Sequence, residues 1–268
     1  MKVLSLTTDF GDQDGYVGVM KGVISGILSD VQMIDITHKV RPQDVFGGAL
    51  VLAANVFYFP EGTVHLAVVD PGVGTARRPI AACIGGHIFV APDNGVLSLV
   101  MEQAEENGWD ISIVHVDNPD YWLPAQSNVF HGRDIFAPVA AHLAAGVPLE
   151  NVGTPLTDPV RFKLPKAEKL ENGARGEVIA IDYFGSLATN IPLSMFGDLG
   201  GLSKWKVEIG GKVIDGLVKT FGDREPGSLI ALFGSTDYLD IAIVNGSAES
   251  VLGVGVGEKV RITQASGA

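Results

Sequence analysis

The sequence predicts an α/β fold in two parts: an N-terminal, mostly parallel sheet with flanking helices, and a C-terminal antiparallel, β-barrel-like domain. Up to about residue 158, continuously apolar strand-like runs alternate with segments of helical periodicity, which is typical of a parallel sheet covered on both faces. From about residue 173, short strands follow one another with glycine turns between them. We therefore place an α/β domain at 1–158 and an all-β domain at 173–268, with a polar linker over 156–173.

The helices of the first part are predicted from spacing and from residues that stop helices. Tyr16, Val19, Met20 and Val23 recur at helical spacing, and Pro60 and Gly62 stop a second helical run. The predicted helices lie at about 16–28, 44–58, 95–103 and 135–145, and the predicted strands at 4–8, 32–37, 63–69, 80–84, 87–91 and 110–116.

The second part is predicted to consist of hairpins. Gly210-Gly211 separates two alternating runs, at 205–209 and 212–214, and a two-glycine spacer of this kind is a strong hairpin signal. Further strands are predicted at 229–233, 238–244 and 259–263. About 95 residues with no clear helix predict a small barrel or sandwich.

Composition excludes several classes of protein. The chain has 268 residues, 46% of them hydrophobic, and a net charge of −12, which argues against nucleic acid as a partner. Its single cysteine, Cys83, excludes an intramolecular disulfide and a cysteine-rich zinc site. No export signal is visible, and the longest apolar stretch, 49–59, is too short to span a membrane. We expect a cytoplasmic protein.

Three strands of the first part run directly into a carboxylate. These carboxylates are Asp9, Asp70 and Asp93, and Arg77 follows Asp70 after a turn with two glycines. Because charges are rarely buried unpaired, Asp70 and Arg77 are expected to meet across the turn. In open α/β sheets ligands bind outside the carboxyl ends of the strands. The three acids and the arginine therefore predict one polar site at this edge of the sheet.

Several local motifs have more than one interpretation. The acidic segment 9–15 has the spacing of a calcium loop, but Met20 stands where that loop needs glutamate. Gly72 and Gly74 are too few for a dinucleotide fingerprint and are interpreted as bringing backbone close to a ligand. His131 could cap a helix or act in a site. Asp182, after another apolar run, and the loop 234–238 could be ordinary turns or parts of a site.

Taken together, these segments resemble the S-adenosyl-L-methionine (SAM) hydroxide adenosyltransferases, relatives of the fluorinase and chlorinase. The resemblance covers nearly the whole chain, and its most specific motifs are Val69-Asp70-Pro71-Gly72-Val73-Gly74-Thr75, Ala91-Pro92-Asp93-Asn94-Gly95, Phe130-His131-Gly132-Arg133-Asp134 and Thr189-Asn190-Ile191. It implies hydrolysis of SAM to adenosine and L-methionine without metal or cofactor. It also implies a homotrimer with ligand sites between subunits.

The resemblance assigns Asp70, Arg77 and His131 to catalysis. Halogenating relatives carry tyrosine in place of Asp70, and the fluorinase has tyrosine and serine in place of His131 and Gly132. Asp9 would bind the ribose diol, and Ser186 stands where relatives usually have an asparagine that contacts adenine. The implied substrate-binding residues are Asp9, Asp14, Asn94, Phe130, Asp182, Phe184, Ser186 and Ser235, with Asp182 and Ser235 at the methionine end and Phe130 lining the pocket.

The chemistry is consistent with these roles. The sulfonium makes methionine a good leaving group, so the missing component is an oriented water at the ribose 5′ carbon. Asp70 could accept from that water, Arg77 could keep Asp70 ionised, and His131 could take or relay the proton. Two alternatives stay open. One is a metal-dependent phosphatase with Asp9, Asp12, Asp14 and Asn94 around magnesium, and the other is a non-catalytic nucleoside-binding protein.

Overall fold

The computed structural model describes residues 2–264, which form two compact units, one up to Lys163 and one from Leu164 onward. The first unit contains the strands β1 (Lys2–Thr8), β2 (Val31–Thr37), β3 (Val64–Val68), β4 (Pro79–Ile84), β5 (His87–Pro92), β6 (Ile111–His115) and β7 (Thr154–Pro155). Its helices are α1 (Tyr16–Ile27), α2 (Val45–Asn55), α3 (Ser98–Asn107) and α4 (Ala137–Ala145).

The first sheet is mixed, with the order β2-β1-β3-β5-β4-β6-β7. The strands β2, β1, β3 and β5 run parallel, whereas β4 pairs antiparallel with both β5 and β6. The predicted α/β class is confirmed. The antiparallel part arises because Gly85 and Gly86, both with positive φ, join β4 to β5 in a tight hairpin.

Helices cover both faces of this sheet, as predicted. Leu4 and Leu6 of β1 pack with Met20 of α1 and with α4, while Phe89 of β5 packs with Leu52 of α2 and with α3. Two helix boundaries differ from the prediction. The helix expected at 95–103 lies at Ser98–Asn107, because Gly95 (φ +99°) still belongs to the preceding turn. The helix expected at 135–145 is preceded by a π-helical turn, Gly132–Phe136.

The second unit is an antiparallel, nearly closed sheet. Its strands are β8 (Glu168–Leu170), β9 (Gly173–Ile181), β10 (Leu187–Pro192), β11 (Trp205–Ile209), β12 (Lys212–Asp215), β13 (Leu229–Phe233), β14 (Tyr238–Ile243) and β15 (Lys259–Gln264). Their order is β12-β11-β15-β9-β10-β14-β13, with β8 also paired to β9. Gly210 and Gly211 have φ of +53° and +71° and form the predicted hairpin turn.

Two features of the second unit differ from the prediction. The expected linker, 156–173, contains β8, which pairs with β9. Its first part belongs to the first unit, in which Val160 N donates to Asp93 and Phe162 N donates to Ser98 Oγ. A short helix, α5 (Ala248–Leu252), was also missed, and the Ser247 hydroxyl caps it by accepting from Ser250 N at 3.1 Å. No helix within residues 2–264 combines the length and the apolar character that crossing a membrane requires.

Candidate active site

Asp9, Asp70 and Asp93 follow three adjacent parallel strands. The register pairs Thr8 of β1 with Val68 of β3, and β3 in turn pairs with β5, so all three strands end at the same edge of the sheet. The hydrogen-bond partners of the three carboxylates nevertheless differ. These partners distinguish Asp93, which has a structural role, from Asp9 and Asp70, which remain candidate site residues.

Asp93 has a structural role. One of its oxygens accepts from Arg78 Nε at 2.8 Å, and the other accepts from the backbone N–H of Val160 at 2.7 Å. Arg78 also binds the side chain of Asp158 at 2.8 Å. Because its two oxygens bind Arg78 and the backbone of Val160, Asp93 anchors the segment around Val160, whereas Asp70 pairs with Arg77.

Asp70 and Arg77 form the ion pair that their spacing predicted. Arg77 Nε lies 2.9 Å from Asp70 Oδ1 and 3.0 Å from Oδ2, and a second guanidinium nitrogen also contacts Oδ2. The side chains are only 5% and 8% exposed. The guanidinium lies 4.9 Å from the ring centroid of Phe136, which fixes its plane. The Asp70 carboxylate is therefore held in one orientation.

The turn between Asp70 and Arg77 is packed against another loop of the same unit. Gly74 has φ of +76°, and a Cβ built on it would overlap the carbonyl oxygen of Asn128. The sequence interpretation, in which these glycines let backbone approach a ligand, is corrected here for Gly74. Its close approach is to Asn128, in the loop that leads to His131.

His131 completes this cluster. Its Nδ1 lies 3.0 Å from Arg77 Nη2. Since a guanidinium has only donors, Nδ1 must accept, and the neutral imidazole then carries its proton on Nε2. Burial and the positive charge of Arg77 lower the pKa of His131, while the carboxylates of Asp70 and Asp134 oppose that shift. The ring is therefore held neutral, and its side chain caps no helix.

Two other predicted residues lie at the same strand ends. Asp9 Oδ2 accepts from the backbone N–H of Gln43 at 2.7 Å. Asn94 donates to the carbonyl of Val69 at 2.8 Å, which fixes the residue directly before Asp70. Asp14 is exposed in the turn just before α1. The backbone of Gln43 thus fixes the Asp9 carboxylate, whereas the amide of Asn94 supports the backbone just after β3.

Phe130 belongs to an aromatic cluster beside His131. Its ring centroid lies 5.2 Å from that of Tyr16 and 6.1 Å from that of Phe10, both in near edge-on arrangements. The guanidinium of Arg133 lies 5.1 Å from the Phe130 centroid. Tyr16 is about half exposed, so the cluster presents a partly open apolar surface suited to a planar ligand.

In the second unit, the predicted residues lie in two exposed loops. Asp182 Oδ1 accepts from the backbone N–H groups of Phe184 and Ser186 at 2.9 and 2.8 Å, so this carboxylate shapes the turn between β9 and β10. That turn exposes Phe184, whose side chain is 74% accessible. Ser235 is exposed in the turn between β13 and β14, which is closed by Gly234 N donating to the Tyr238 carbonyl at 2.9 Å.

Asp240 is a titratable residue of the second unit that the sequence analysis missed. Its carboxylate packs against Gly234, and its buried Oδ1 has no hydrogen-bond partner among residues 2–264. Burial, with a smaller contribution from the charge of Asp182, raises the pKa of Asp240 to about 6. The sequence does contain a signal that could have identified Asp240, since it is an acidic residue within the otherwise apolar run Tyr238–Ile243.

The buried histidines of the first unit belong to the core. Ser5 Oγ lies 2.6 Å from His65 Nδ1, and His65 Nε2 lies 3.1 Å from His87 Nδ1. Burial, followed by the effect of His87, lowers the pKa of His65 to about 3, so this row is neutral. Within residues 2–264, no three His, Cys, Asp or Glu side chains come together as a metal-ligand group, and the proposed magnesium set of Asp9, Asp12, Asp14 and Asn94 gains no support.

The fold and this cluster define a protein with an α/β unit carrying a carboxylate–guanidinium–imidazole site and a separate antiparallel β unit. Family models for the SAM hydroxide adenosyltransferase N-terminal and C-terminal domains match residues 4–153 and 176–261. The chain belongs to the SAM hydroxide adenosyltransferase family.

Individual relatives agree with this assignment. The chain is 42% identical to an (R)-S-adenosyl-L-methionine hydrolase of Salinispora tropica, over 97% of each protein. It is 32% identical to a fluorinase of Actinoplanes, over 90% of each. A crystal structure of an uncharacterized conserved protein from Thermotoga maritima is 39% identical, with a TM-score of 0.91, covering 97% of this chain and 100% of that one.

Proposed function

We propose that this protein hydrolyses SAM to adenosine and L-methionine. The observation that carries the proposal is the cluster of Asp70, Arg77 and His131, in which a guanidinium holds both a carboxylate and an imidazole. The family assignment and the hydrolases among the relatives support it. The halogenating relatives, by the resemblance noted above, carry other side chains at Asp70 and His131, where this chain has groups suited to water.

The proposed reaction is an in-line displacement at the ribose 5′ carbon. The water oxygen forms a bond to that carbon as the carbon–sulfur bond breaks, and the electron pair of the broken bond neutralises the sulfonium. As the carbon–oxygen bond forms, the water loses one proton to the Asp70 carboxylate, which accepts the hydrogen bond that orients this proton away from the carbon and afterwards releases it to solvent. The sulfonium loses its positive charge as the carbon–sulfur bond breaks. Because a partly buried site solvates charge poorly, it favours this transition state over the charged substrate.

We propose that His131 acts as a hydrogen-bond donor to the water oxygen. From the sequence, His131 was predicted to take or relay the proton, but Nδ1 accepts from Arg77 and the neutral ring has its proton on Nε2. The ring can take a second proton only if the contact with Arg77 opens. Orientation of the water between a carboxylate acceptor and an imidazole donor then supplies the catalytic effect through positioning.

The remaining assignments stay predictions. They are that Asp9 binds the ribose diol, that Phe130 and Phe184 line the nucleoside pocket, and that Asp182, Ser186 and Ser235 complete the substrate site together with Asp14 and Asn94. We also propose, on the resemblance alone, that no metal or cofactor takes part. A homotrimer with sites at subunit interfaces and a cytoplasmic location are predictions of the same kind.

The direct test is incubation of the purified protein with SAM after exhaustive chelation, with adenosine and methionine measured separately. We expect equal amounts of the two products and no dependence on added magnesium. Adenosine binding without release of adenosine from SAM would support the nucleoside-binding alternative. Hydrolysis of a phosphate monoester that requires magnesium, with SAM left intact, would support the phosphatase alternative.

A further inference from the structure

Asp134 is a fully buried carboxylate that has no part in the proposed chemistry. Its Oδ2 accepts from the backbone N–H of Ser127 at 2.7 Å, and its Oδ1 accepts from Arg133 Nε at 2.6 Å. Its backbone carbonyl accepts from the N–H of Leu123 at 2.9 Å. Aspartate is rarely buried to this extent. One residue therefore holds the segment 123–127 at two points.

This segment leads into His131. The carbonyl of Phe130 accepts from the N–H groups of both Arg133 and Asp134, at 3.2 Å each, and these bonds close a turn around His131. The backbone on both sides of His131 is thus tied to residue 134. The contact between His131 Nδ1 and Arg77 is 3.0 Å long, and a displacement of about 1 Å would break it.

The negative charge of Asp134 has a second effect through Arg133. The guanidinium binds both carboxylate oxygens, at 2.6 and 3.1 Å, and lies over the ring of Phe130. A neutral amide could still accept from Ser127, but only a carboxylate offers the two acceptors that hold a guanidinium in one plane. The charge therefore fixes Phe130 and, with it, the residue next to His131.

We propose that Asp134 is a positioning residue for the hydrolysis, holding His131 Nδ1 against Arg77 through the clamp on Ser127 and the Arg133–Phe130 stack. This inference rests on the proposed function for its effect on rate, but the geometry that it predicts for His131 exists without substrate. The two can therefore be tested separately.

The test compares Asp134→Asn with Asp117→Asn. Asp117 is a matched control because its carboxylate also clamps a loop of the same unit, by accepting from Thr154 N at 3.0 Å, away from His131. For Asp134→Asn we expect kcat to fall roughly tenfold or more, with a smaller rise in KM for SAM because Phe130 also lines the predicted nucleoside pocket. The ¹⁵N signals of the His131 imidazole should lose the pattern of an accepting Nδ1 and a protonated Nε2. Asp117→Asn should change neither readout.

Unchanged imidazole signals in folded Asp134→Asn would overturn the inference, whatever the rate. If Asp134→Asn does not fold, Arg133→Gln decides, since Arg133 is 35% exposed and its loss leaves the clamp on Ser127 intact. A change in kcat and in the His131 signals supports the inference, and wild-type values for both overturn it. Failure of the wild-type protein to release adenosine overturns the proposed function instead, because the imidazole signals do not depend on turnover.

Discussion

Burial changes the protonation of single residues in this protein, and Asp240 provides a quantitative case. Burial raises its pKa from the ordinary value of 3.8 to about 6. The folded state therefore keeps the proton of Asp240 up to about pH 6, whereas the unfolded chain releases it near pH 4. The free energy of unfolding therefore falls as the pH rises through that interval, because the unfolded state then binds fewer protons than the folded state does.

We predict that Asp240→Asn stabilises the protein at pH 7 by on the order of 2 kcal/mol and has little effect at pH 4. The measurement is urea unfolding of both proteins at the two pH values. Asp215→Asn, at an aspartate whose side chain is 76% exposed, is the control and should change stability little at either pH. A stabilisation by Asp240→Asn that is equal at pH 4 and pH 7 would contradict this account.

Contacts between residues that are close in sequence could be predicted, whereas contacts between residues that only the fold brings together could not. The pairing of Asp70 with Arg77 followed from a seven-residue spacing across a turn. The contact of Arg77 with His131 spans 54 positions and depends on how two loops pack, which no local pattern encodes. The three strand-end acids looked alike in sequence, and only the tertiary partners of Asp93 show that it is structural.

At the scale of elements, the turn 70–77 and the loop before His131 are coupled through Gly74. Its φ of +76° is unfavourable for other residues, and the adjacent carbonyl of Asn128 leaves no room for a Cβ. Gly62 has a similar φ of +80°, but open space surrounds the position of its Cβ. An alanine at either position would have a strained backbone, but only an alanine at position 74 would also overlap a neighbour. Comparing the two positions therefore distinguishes the cost of backbone strain from the cost of close packing.

We predict that Gly62→Ala costs about 1 kcal/mol of stability through strain alone and leaves kcat unchanged. Gly74→Ala should cost more and should also lower kcat, because the overlap with Asn128 moves the loop that carries His131. Thermal unfolding and steady-state adenosine release measure the two effects. Equal stability losses with wild-type kcat in both variants would show that the packing of Gly74 has no role in the site.

Some turns of this fold have a local sequence signal and others do not. The Gly210-Gly211 hairpin was predicted, and the same dipeptide at Gly85-Gly86 produces the antiparallel pair β4–β5 that makes the first sheet mixed. The π-helical turn Gly132–Phe136 left no periodic signal, since one extra residue in a helical turn does not alter the apolar pattern that follows. That turn begins directly after His131.

At the scale of the whole molecule, the chain combines an α/β unit that carries the proposed catalytic cluster with a β unit that carries other predicted substrate residues. The change from helical periodicity to glycine hairpins predicted both classes of structure. Short elements such as β8 and α5 were missed because three to five residues carry too little periodicity. The central claim is that Asp70, Arg77 and His131 act on one water as a single unit.

The most direct test of that claim is single-turnover release of adenosine from SAM, with chelator present, by Asp70→Ala, Arg77→Ala, His131→Ala and the triple variant. We predict a loss of roughly 10²- to 10⁴-fold for Asp70→Ala, which removes the proton acceptor, and a loss of about 10²-fold for His131→Ala, which removes a group that positions the water. The triple variant should be little slower than the slowest single variant, because residues that act as a unit have non-additive effects. Adenosine binding by Asp70→Ala should persist. A wild-type rate for Asp70→Ala, or losses that multiply in the triple variant, would contradict the account.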